Sequence, residues 1–313
     1  MYRVEDSAQQ PVRVTTVVVD DAPPYRGRTR TLAGPPPGTT DLGGSAADEG
    51  HQYLLDPDGG ARTVAAVAPG FAPTASGLAV ALPAAVRHGL VRSVGTATVA
   101  GRSCTEWLSR DPLDSGPFAA ASAADRTTSC VDADGLLLRD AWTLHGTLVR
   151  TRTAISVGRG PSLAGSGLLG GRTPAPAPTT AAGEQVKVVD RDVLLRALAV
   201  PEPVAPQGLT ADLDAAVLQL DQDGTPGVEG GVLTWTDGRR LAVLRLERGL
   251  GRRLTPPSTG VVVRLDAART ARLAATSVGL RLTFGQGSFV VTVTADLPEA
   301  DLLGWAAALS LGG

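Results

Sequence analysis

The segment Gly95–Val157 constrains the fold of this chain more than any other stretch. Polar and apolar residues alternate in it, first where Thr96 and Thr98 stand between Ala97 and Val99. A two-residue period is typical of half-buried strands, because successive side chains point to opposite faces of a sheet. The segment therefore predicts antiparallel strands that form one wall of a curved sheet.

The same alternation returns near the end of this segment. The polar residues are Thr147, Arg150 and Arg152, and the apolar ones are Leu148, Val149 and Ile155. An Asp-Gly turn at Asp134-Gly135 separates this strand pair from the earlier ones. This alternation also suggests half-buried antiparallel strands.

The chain has two cysteines, Cys104 and Cys130, and both flank strands of the predicted wall. They are either two buried thiols or one disulfide. A bridge at this spacing would stabilise the fold by roughly 3–4 kcal/mol in the chain-entropy model. We favour the disulfide, which would place the protein in an oxidising compartment.

Short motifs in this segment resemble a known signature. They are Val99–Cys104 (VAGRSC), Cys130–Asp132 (CVD) and Asp134–Arg139 (DGLLLR). Their order and spacing resemble the V-A-G-R-x-C … W-V-D-x-x-T-G-L-P-L-R signature of lipoprotein-carrier-like domains of the LolA/LolB kind. The N-terminal domain of the MucB/RseB sigma-factor regulators carries the same signature. Cys130 replaces the usual tryptophan, and Leu137 replaces the usual proline.

The second half of the chain resembles the C-terminal domain of the MucB/RseB family. Pro206–Leu209 (PQGL) is similar to its l-P-x-G-F opening, and Val290–Pro298 (VVTVTADLP) is similar to the strand before its last helix. The two resemblances together span most of residues 50–310. They imply an α+β fold: a curved antiparallel sheet (a LolA-like half-barrel), then a smaller antiparallel sheet domain with a C-terminal helix.

A Gly-, Pro- and Ala-rich stretch divides the chain. Such a composition cannot bury a core. We predict a half-barrel domain at residues 1–157, a linker at 158–183 and a smaller α+β domain at 184–313. In the first domain we expect a strand over 11–20, a hairpin of 51–55 with 61–68, loop from Pro69 to Ala81, and one or two helical turns over Leu82–His88.

In the second domain we predict a short helix capped by Asp190, a strand pair around Gly238, and further strands from Val261 onward. Pro298 is expected to open a closing helix, with Glu299 and Asp301 in its first turn. Its apolar residues share one face and should dock on the sheet. These residues are Leu302, Trp305, Ala306 and Leu309.

Composition and motifs exclude several classes of function. The 29 basic and 31 acidic residues give a net charge of −2, which argues against a nucleic-acid partner. No nucleophile elbow, P-loop or dinucleotide motif is present, so we predict no enzymatic activity and no cofactor. Three Asp-x-Asp-Gly sequences, at Asp56–Gly59, Asp132–Gly135 and Asp221–Gly224, lack the remaining calcium ligands and predict ordinary turns.

The resemblance implies a cell-envelope protein that binds a lipid or acylated ligand in an apolar trough. It also implies a membrane-bound anti-sigma factor as partner, with a role in envelope-stress sensing or sigma-factor regulation. The residues that could line the trough are Trp107, Trp142, Val99, Leu148 and Ile155. For the tryptophans, core packing is the competing interpretation. The alternative functions are a protein–protein interaction module whose sheet has lost its cavity and an unrecognised hydrolase.

The start of the chain does not fit the expected compartment. Met1–Asp6 is polar, no export signal or anchor is visible, and no run of 18 apolar residues occurs anywhere. Either the start is truncated or misassigned, or the protein is cytosolic and its cysteines are reduced. The resemblance favours an extracytoplasmic protein with a truncated start.

Overall fold

A computed structural model describes most of the chain. The described residues are 2–6, 9–19, 27–33, 40–47, 51–66, 75–109, 126–158, 169, 173, 183–220, 226–276 and 279–311. The predicted linker, 158–183, lies almost entirely outside these ranges, as do the Asp221–Gly224 turn and the expected loop from Pro69 to Thr74. None of the described helices combines the length and apolar character needed to cross a membrane.

The first sheet has eleven antiparallel strands in the order β6-β5-β4-β3-β2-β1-β11-β10-β9-β8-β7. Its two edges, β6 and β7, do not pair, so the sheet is open. The strands are β1 Tyr2–Asp6, β2 Gln9–Val19, β3 Gly27–Ala33, β4 Thr40–Ala47, β5 His51–Leu55, β6 Ala61–Ala66, β7 Val91–Val99, β8 Arg102–Ser109, β9 Arg126–Asp132, β10 Leu137–Leu144 and β11 Thr147–Ala154.

The second sheet has nine antiparallel strands. Eight follow the order β12-β14-β15-β16-β20-β19-β18-β17, and β13 pairs with one end of β15. The strands are β12 Gly183–Val188, β13 Thr210–Ala211, β14 Ala215–Leu220, β15 Pro226–Thr236, β16 Leu241–Gly249, β17 Val261–Arg264, β18 Thr270–Thr276, β19 Gly279–Gln286 and β20 Phe289–Ala295.

The predicted fold class is confirmed: a larger antiparallel sheet precedes a smaller one, and a helix closes the chain. The expected strand at 11–20 is β2, and the expected hairpin at 51–68 is the β5–β6 pair. Strands β4, β12, β14 and β18 have no counterpart in the prediction. β4 is rich in glycine and alanine, and the others have too few strong β-formers for a local signal.

Helix α1, Ala75–Arg87, corrects the prediction of a loop up to Ala81. Its first turns are built from alanine and leucine, which are strong helix formers, although Pro83 lies inside it. The helix buries Leu78, Ala81 and Ala84 along one stripe. That burial decides the structure of a segment whose glycine and proline content suggested a loop.

Helix α1 also connects the two sheets. It contacts β7 of the first sheet and both β18 and β19 of the second. Its buried residues belong to the same apolar cluster as Val131 of β9 and Leu273 of β18. Arg87, the last residue of the helix, donates to Glu299, and Nε2 of the next residue, His88, lies 2.6 Å from Glu299 Oε1. The two sheets therefore share one core, and α1 lies within it.

Two further helices complete the second sheet. Helix α2, Arg191–Leu198, has Asp190 at its N-cap position as predicted, although the Asp190 side chain makes no capping hydrogen bond. Helix α3, Glu299–Ala308, has the expected acidic first turn and contacts β19. Leu302, Trp305, Ala306 and Leu309 are all buried, as their spacing predicts.

Candidate functional site

The strand register places eight residues in two adjacent rows on one face of the first sheet. Directly opposed residues in an antiparallel pair share a face, and residues two apart on a strand share it too. We call these residues the polar rows. The first row is Trp107, Ser129, Asp140 and Arg152, and the second is Ser109, Thr127, Trp142 and Arg150.

An ion pair lies at the centre of the first row. Asp140 accepts a hydrogen bond from Arg152 and another from Ser129 Oγ, with 2.9 Å between Ser129 Oγ and Asp140 Oδ1. Asp140 is 1% exposed and Arg152 is 3% exposed. A buried pair of this kind tolerates no loss of one partner, because the remaining charge would be left without compensation in a low dielectric.

Trp142 is the centre of the second row. It is fully buried, and the guanidinium carbons of Arg150 and Arg152 lie 5.3 Å and 5.8 Å from its ring centroid. Both distances are within the range of cation–π attraction. Both guanidinium groups are therefore attracted to the same indole ring.

Two uncharged side chains in the second row have a buried donor with no hydrogen-bond partner among the described residues. These donors are the Trp142 indole Nε1 and the hydroxyl of Thr127, which is directly opposite Trp142 in the sheet. Buried donors without a partner are rare in folded proteins, and a water or ligand oxygen at such a position would complete them. The chemistry beside them, with two arginines, fits a carbonyl, carboxylate or phosphate oxygen.

A β-bulge brings the arginines into the polar rows. The β10–β11 hairpin begins with Leu144 opposite Thr147, and this register alone would put Trp142 opposite Val149. The register shifts by one residue between Trp142 and Thr143, so Arg150 takes that place. An extra residue on one strand changes which side chains share a face.

Because of this shift, the polarity of the β11 residues does not predict which of them are buried. Arg152 is buried, whereas Leu148 is 52% exposed and Ile155 is 47% exposed. The alternation itself is present. The bulge and the Asp140 partner bring Arg152 inside, while Arg150 and Val149 are both half-buried.

The cysteines form the predicted disulfide between β8 and β9. Cys130 follows Ser129, so it lies on the face opposite the polar rows. The bridge packs with Val99, Leu138 and Ala154 in a small apolar cluster. This places Val99 away from Trp142.

The five predicted trough residues do not form one group. Trp107 and Trp142 share the face of the polar rows, in neighbouring rows. Trp107 packs against the large core cluster, and Trp142 is buried close to two arginines. Val99 belongs to the disulfide cluster, and Leu148 and Ile155 are exposed. The residues that sequence reasoning missed are Thr127, Ser129, Asp140, Arg150 and Arg152.

The Asp-rich turn after β9 is structural, as predicted. Asp132 Oδ1 accepts the backbone N–H groups of Asp134 and Leu136, each at 2.9 Å. Arg102 donates to Asp132 and Asp134, and the hydrogen bond to Asp132 is the main reason that the pKa of Arg102 is raised. Within the described ranges, no three His, Cys, Asp or Glu side chains gather as a metal site.

A pocket of about 430 Å³ lies at the start of α2, lined by residues 188–191 and 211–214. It contains none of the five predicted trough residues. Its arginine, Arg191, donates to Asp214 at 2.7 Å and 2.9 Å and to the Thr234 carbonyl at 2.9 Å. The guanidinium also lies 4.5 Å from the Trp235 ring centroid. These contacts fix α2 to the second sheet.

No protein-family model matches the chain, and no curated protein matches it. Among solved structures, the chain is similar to MucB in complex with MucA(peri), with 15% identity over 100% of this chain and 92% of that one, and a TM-score of 0.31. The Pseudomonas aeruginosa MucA/MucB complex gives 14% identity, 100% and 92% coverage and a TM-score of 0.32. The structure of MucB alone gives 16% identity over 99% of this chain and 90% of that one, with a TM-score of 0.29. TM-scores this low carry no argument about fold or function, so the family likeness depends on the sequence motifs.

Proposed function

We propose that this protein is a non-enzymatic regulator of the MucB/RseB type that acts in the cell envelope. Its partner would be the extracytoplasmic segment of a membrane-bound anti-sigma factor. The motifs around the disulfide and before α3 support the type, and the disulfide supports an oxidising compartment. The division into residues 1–157, 158–183 and 184–313 is part of the same proposal.

The burial of one face of the first sheet favours a protein partner over an enclosed lipid. The face where a ligand trough was expected is filled by the protein's own side chains, with Ser129, Asp140 and Trp142 fully or almost fully buried. A ligand could reach these buried residues only if the fold opened, whereas a protein partner needs only the outer surfaces of the sheet. The apolar core that the two sheets share around α1 fixes the outer surface of one sheet relative to that of the other.

The experiment mixes the full chain with the purified extracytoplasmic segment of each anti-sigma factor of the source organism and measures binding by calorimetry. We expect one segment to form a stable complex. Glu299→Ala, which removes the acceptor of both Arg87 and His88, should weaken it by loosening the two sheets. Asp237→Asn, in an exposed turn, is the matched control and should leave the affinity unchanged. Absence of binding by every segment would contradict the proposal.

A second candidate function, binding of an acylated ligand, is favoured by the two donors that lack partners. An ester carbonyl or carboxylate oxygen could accept from Thr127 Oγ1 and Trp142 Nε1, with Arg150 beside it. Binding would require the face of the polar rows to open. One protein could have both functions, because a bound ligand would change the conformation that the protein partner recognises.

Native mass spectrometry of the full chain, expressed in an oxidising compartment, tests this second function. We expect a bound acyl compound in the wild type and its loss in Thr127→Val and Trp142→Phe, each of which removes one donor and keeps the shape. Trp107→Phe, on the same face, is the control and should retain the ligand. A wild-type mass equal to the polypeptide alone would exclude the acylated ligand.

A further inference from the structure

Strand β7 is an open edge of the first sheet. Among the described residues it pairs only with β8. The other sheet edges differ from it: β6 and β12 contact each other, and β17 has only four residues. β7 has nine residues, with one charge and no proline, and its residues between Val91 and Val99 are exposed or half-buried. An edge of this kind is a template for another strand.

The hairpin register shows which backbone groups of β7 point outward. β7 and β8 are joined by Ala100 and Gly101, whose φ angles of 49° and 76° make a two-residue turn of the type that closes β-hairpins. In such a turn the flanking pair, Val99 and Arg102, is hydrogen-bonded. Because bonded and non-bonded pairs alternate, Thr98 and Thr96 lie in non-bonded pairs. Their N–H and C=O groups therefore point away from β8.

The irregular part of β7 lies away from these groups. A bulge interrupts the register between Ser93 and Gly95, and bulges are one means of protecting an edge. It leaves Thr96–Val99 in regular register with β8. Both threonines are exposed, and no described strand other than β8 pairs with this part of β7.

The charges around β7 indicate which strand would fit. Residues 75–105 contain three arginines and no acidic residue, and Glu106, opposite Gly95, is paired with Arg139. Arg87 is paired with Glu299, and Arg102 is paired with Asp132 and Asp134. Arg92 is exposed, and no acidic partner for it lies within the described residues. A second copy of this chain would bring another positive edge, whereas an acidic strand would be attracted.

We propose that β7 binds an extended, acidic segment of a partner protein by strand addition, through the backbone groups of Thr96 and Thr98 and the charge of Arg92. The backbone groups supply the affinity and the arginine selects acidic sequences. This surface is independent of the proposed regulatory function, because it requires only an extended acidic chain.

The test uses the full-length protein and a fluorescein-labelled peptide of alternating valine and glutamate. We expect it to bind and to slow hydrogen exchange at the amides of Thr96 and Thr98. Thr98→Pro removes an outward N–H without breaking a bond to β8, and should weaken binding by about tenfold or more. Thr98→Val retains the N–H group and should bind as the wild type does.

A second arm does not depend on proline. Arg92→Glu should weaken binding of the valine–glutamate peptide and create binding of a valine–lysine peptide, with an unchanged melting temperature. Equal binding by Thr98→Pro and Thr98→Val, or no binding of the acidic peptide to the wild type, would overturn the proposal. Concentration-dependent dimerisation that Thr98→Pro abolishes would assign the edge to a second copy and overturn it too.

Discussion

The two sheets are stabilised at their centres by different chemistry. On one face of the first sheet, Asp140, Arg152 and Ser129 form a buried hydrogen-bonded group beside Trp142. The corresponding centre of the second sheet is apolar and includes the fully buried Leu244, Leu273 and Leu282. A polar centre depends on the pairing of specific atoms, whereas an apolar centre depends on volume. The two regions should therefore respond differently to substitution.

The largest effect is expected from Asp140→Ala in the first sheet. It leaves the Arg152 charge buried without its partner and should lower the free energy of unfolding by about 3–5 kcal/mol. Urea denaturation measures this. The double variant Asp140→Leu with Arg152→Met should recover most of the loss, because no unpaired charge remains. A double variant as unstable as Asp140→Ala would show that this face depends on more than pairing.

Leu244→Ala makes the matching change in the second sheet. It leaves a cavity in a close-packed apolar centre and should lower the free energy of unfolding by about 2–5 kcal/mol. Leu244→Met conserves volume and should cost less than about 1.5 kcal/mol in the same urea titration. Equal losses in both variants would mean that volume does not govern this centre.

Thr127→Val is expected to stabilise the protein, unlike the two preceding substitutions. The hydroxyl is buried without a partner, so a methyl group of similar shape should raise the free energy of unfolding by about 1 kcal/mol. Thermal and urea denaturation of ligand-free protein measure it. Thr128→Val, at a half-buried neighbouring position, is the control and should change little. Destabilisation by Thr127→Val would mean that the hydroxyl already has an acceptor.

The smallest effect is expected at Asp237, in the exposed turn between β15 and β16. Its pKa is lowered to about 2, first by the backbone N–H of Arg240. The unfolded pKa is near 3.9, so the carboxylate stabilises the fold above about pH 4 and loses this contribution as the pH falls toward 2. The difference in unfolding free energy between wild type and Asp237→Asn should shrink over that interval. If the difference in unfolding free energy stayed constant from pH 7 to pH 2, the lowered pKa of Asp237 would be contradicted.

The sequence predicts the strands better than it predicts the site. Alternation in β7 and β11, the disulfide, and the buried face of α3 are local signals, and the structure contains all three. The polar rows depend on the register shift at Trp142 and Thr143, which no local pattern reveals. Without that shift, Arg150 would not lie opposite Trp142, and Arg152 would not lie opposite Asp140. Helix α1 was missed for a related reason, because its burial depends on strands far along the chain.

The position of α1 also bears on how the chain is made. Its partners β18 and β19 follow it by roughly 180 residues, so during synthesis the helix emerges long before the surface that buries it. Until then the apolar stripe of Leu78, Ala81 and Ala84 is open to water or to a chaperone. The first eleven strands can pair early, but their compact state is reached only when the last third of the polypeptide has left the ribosome.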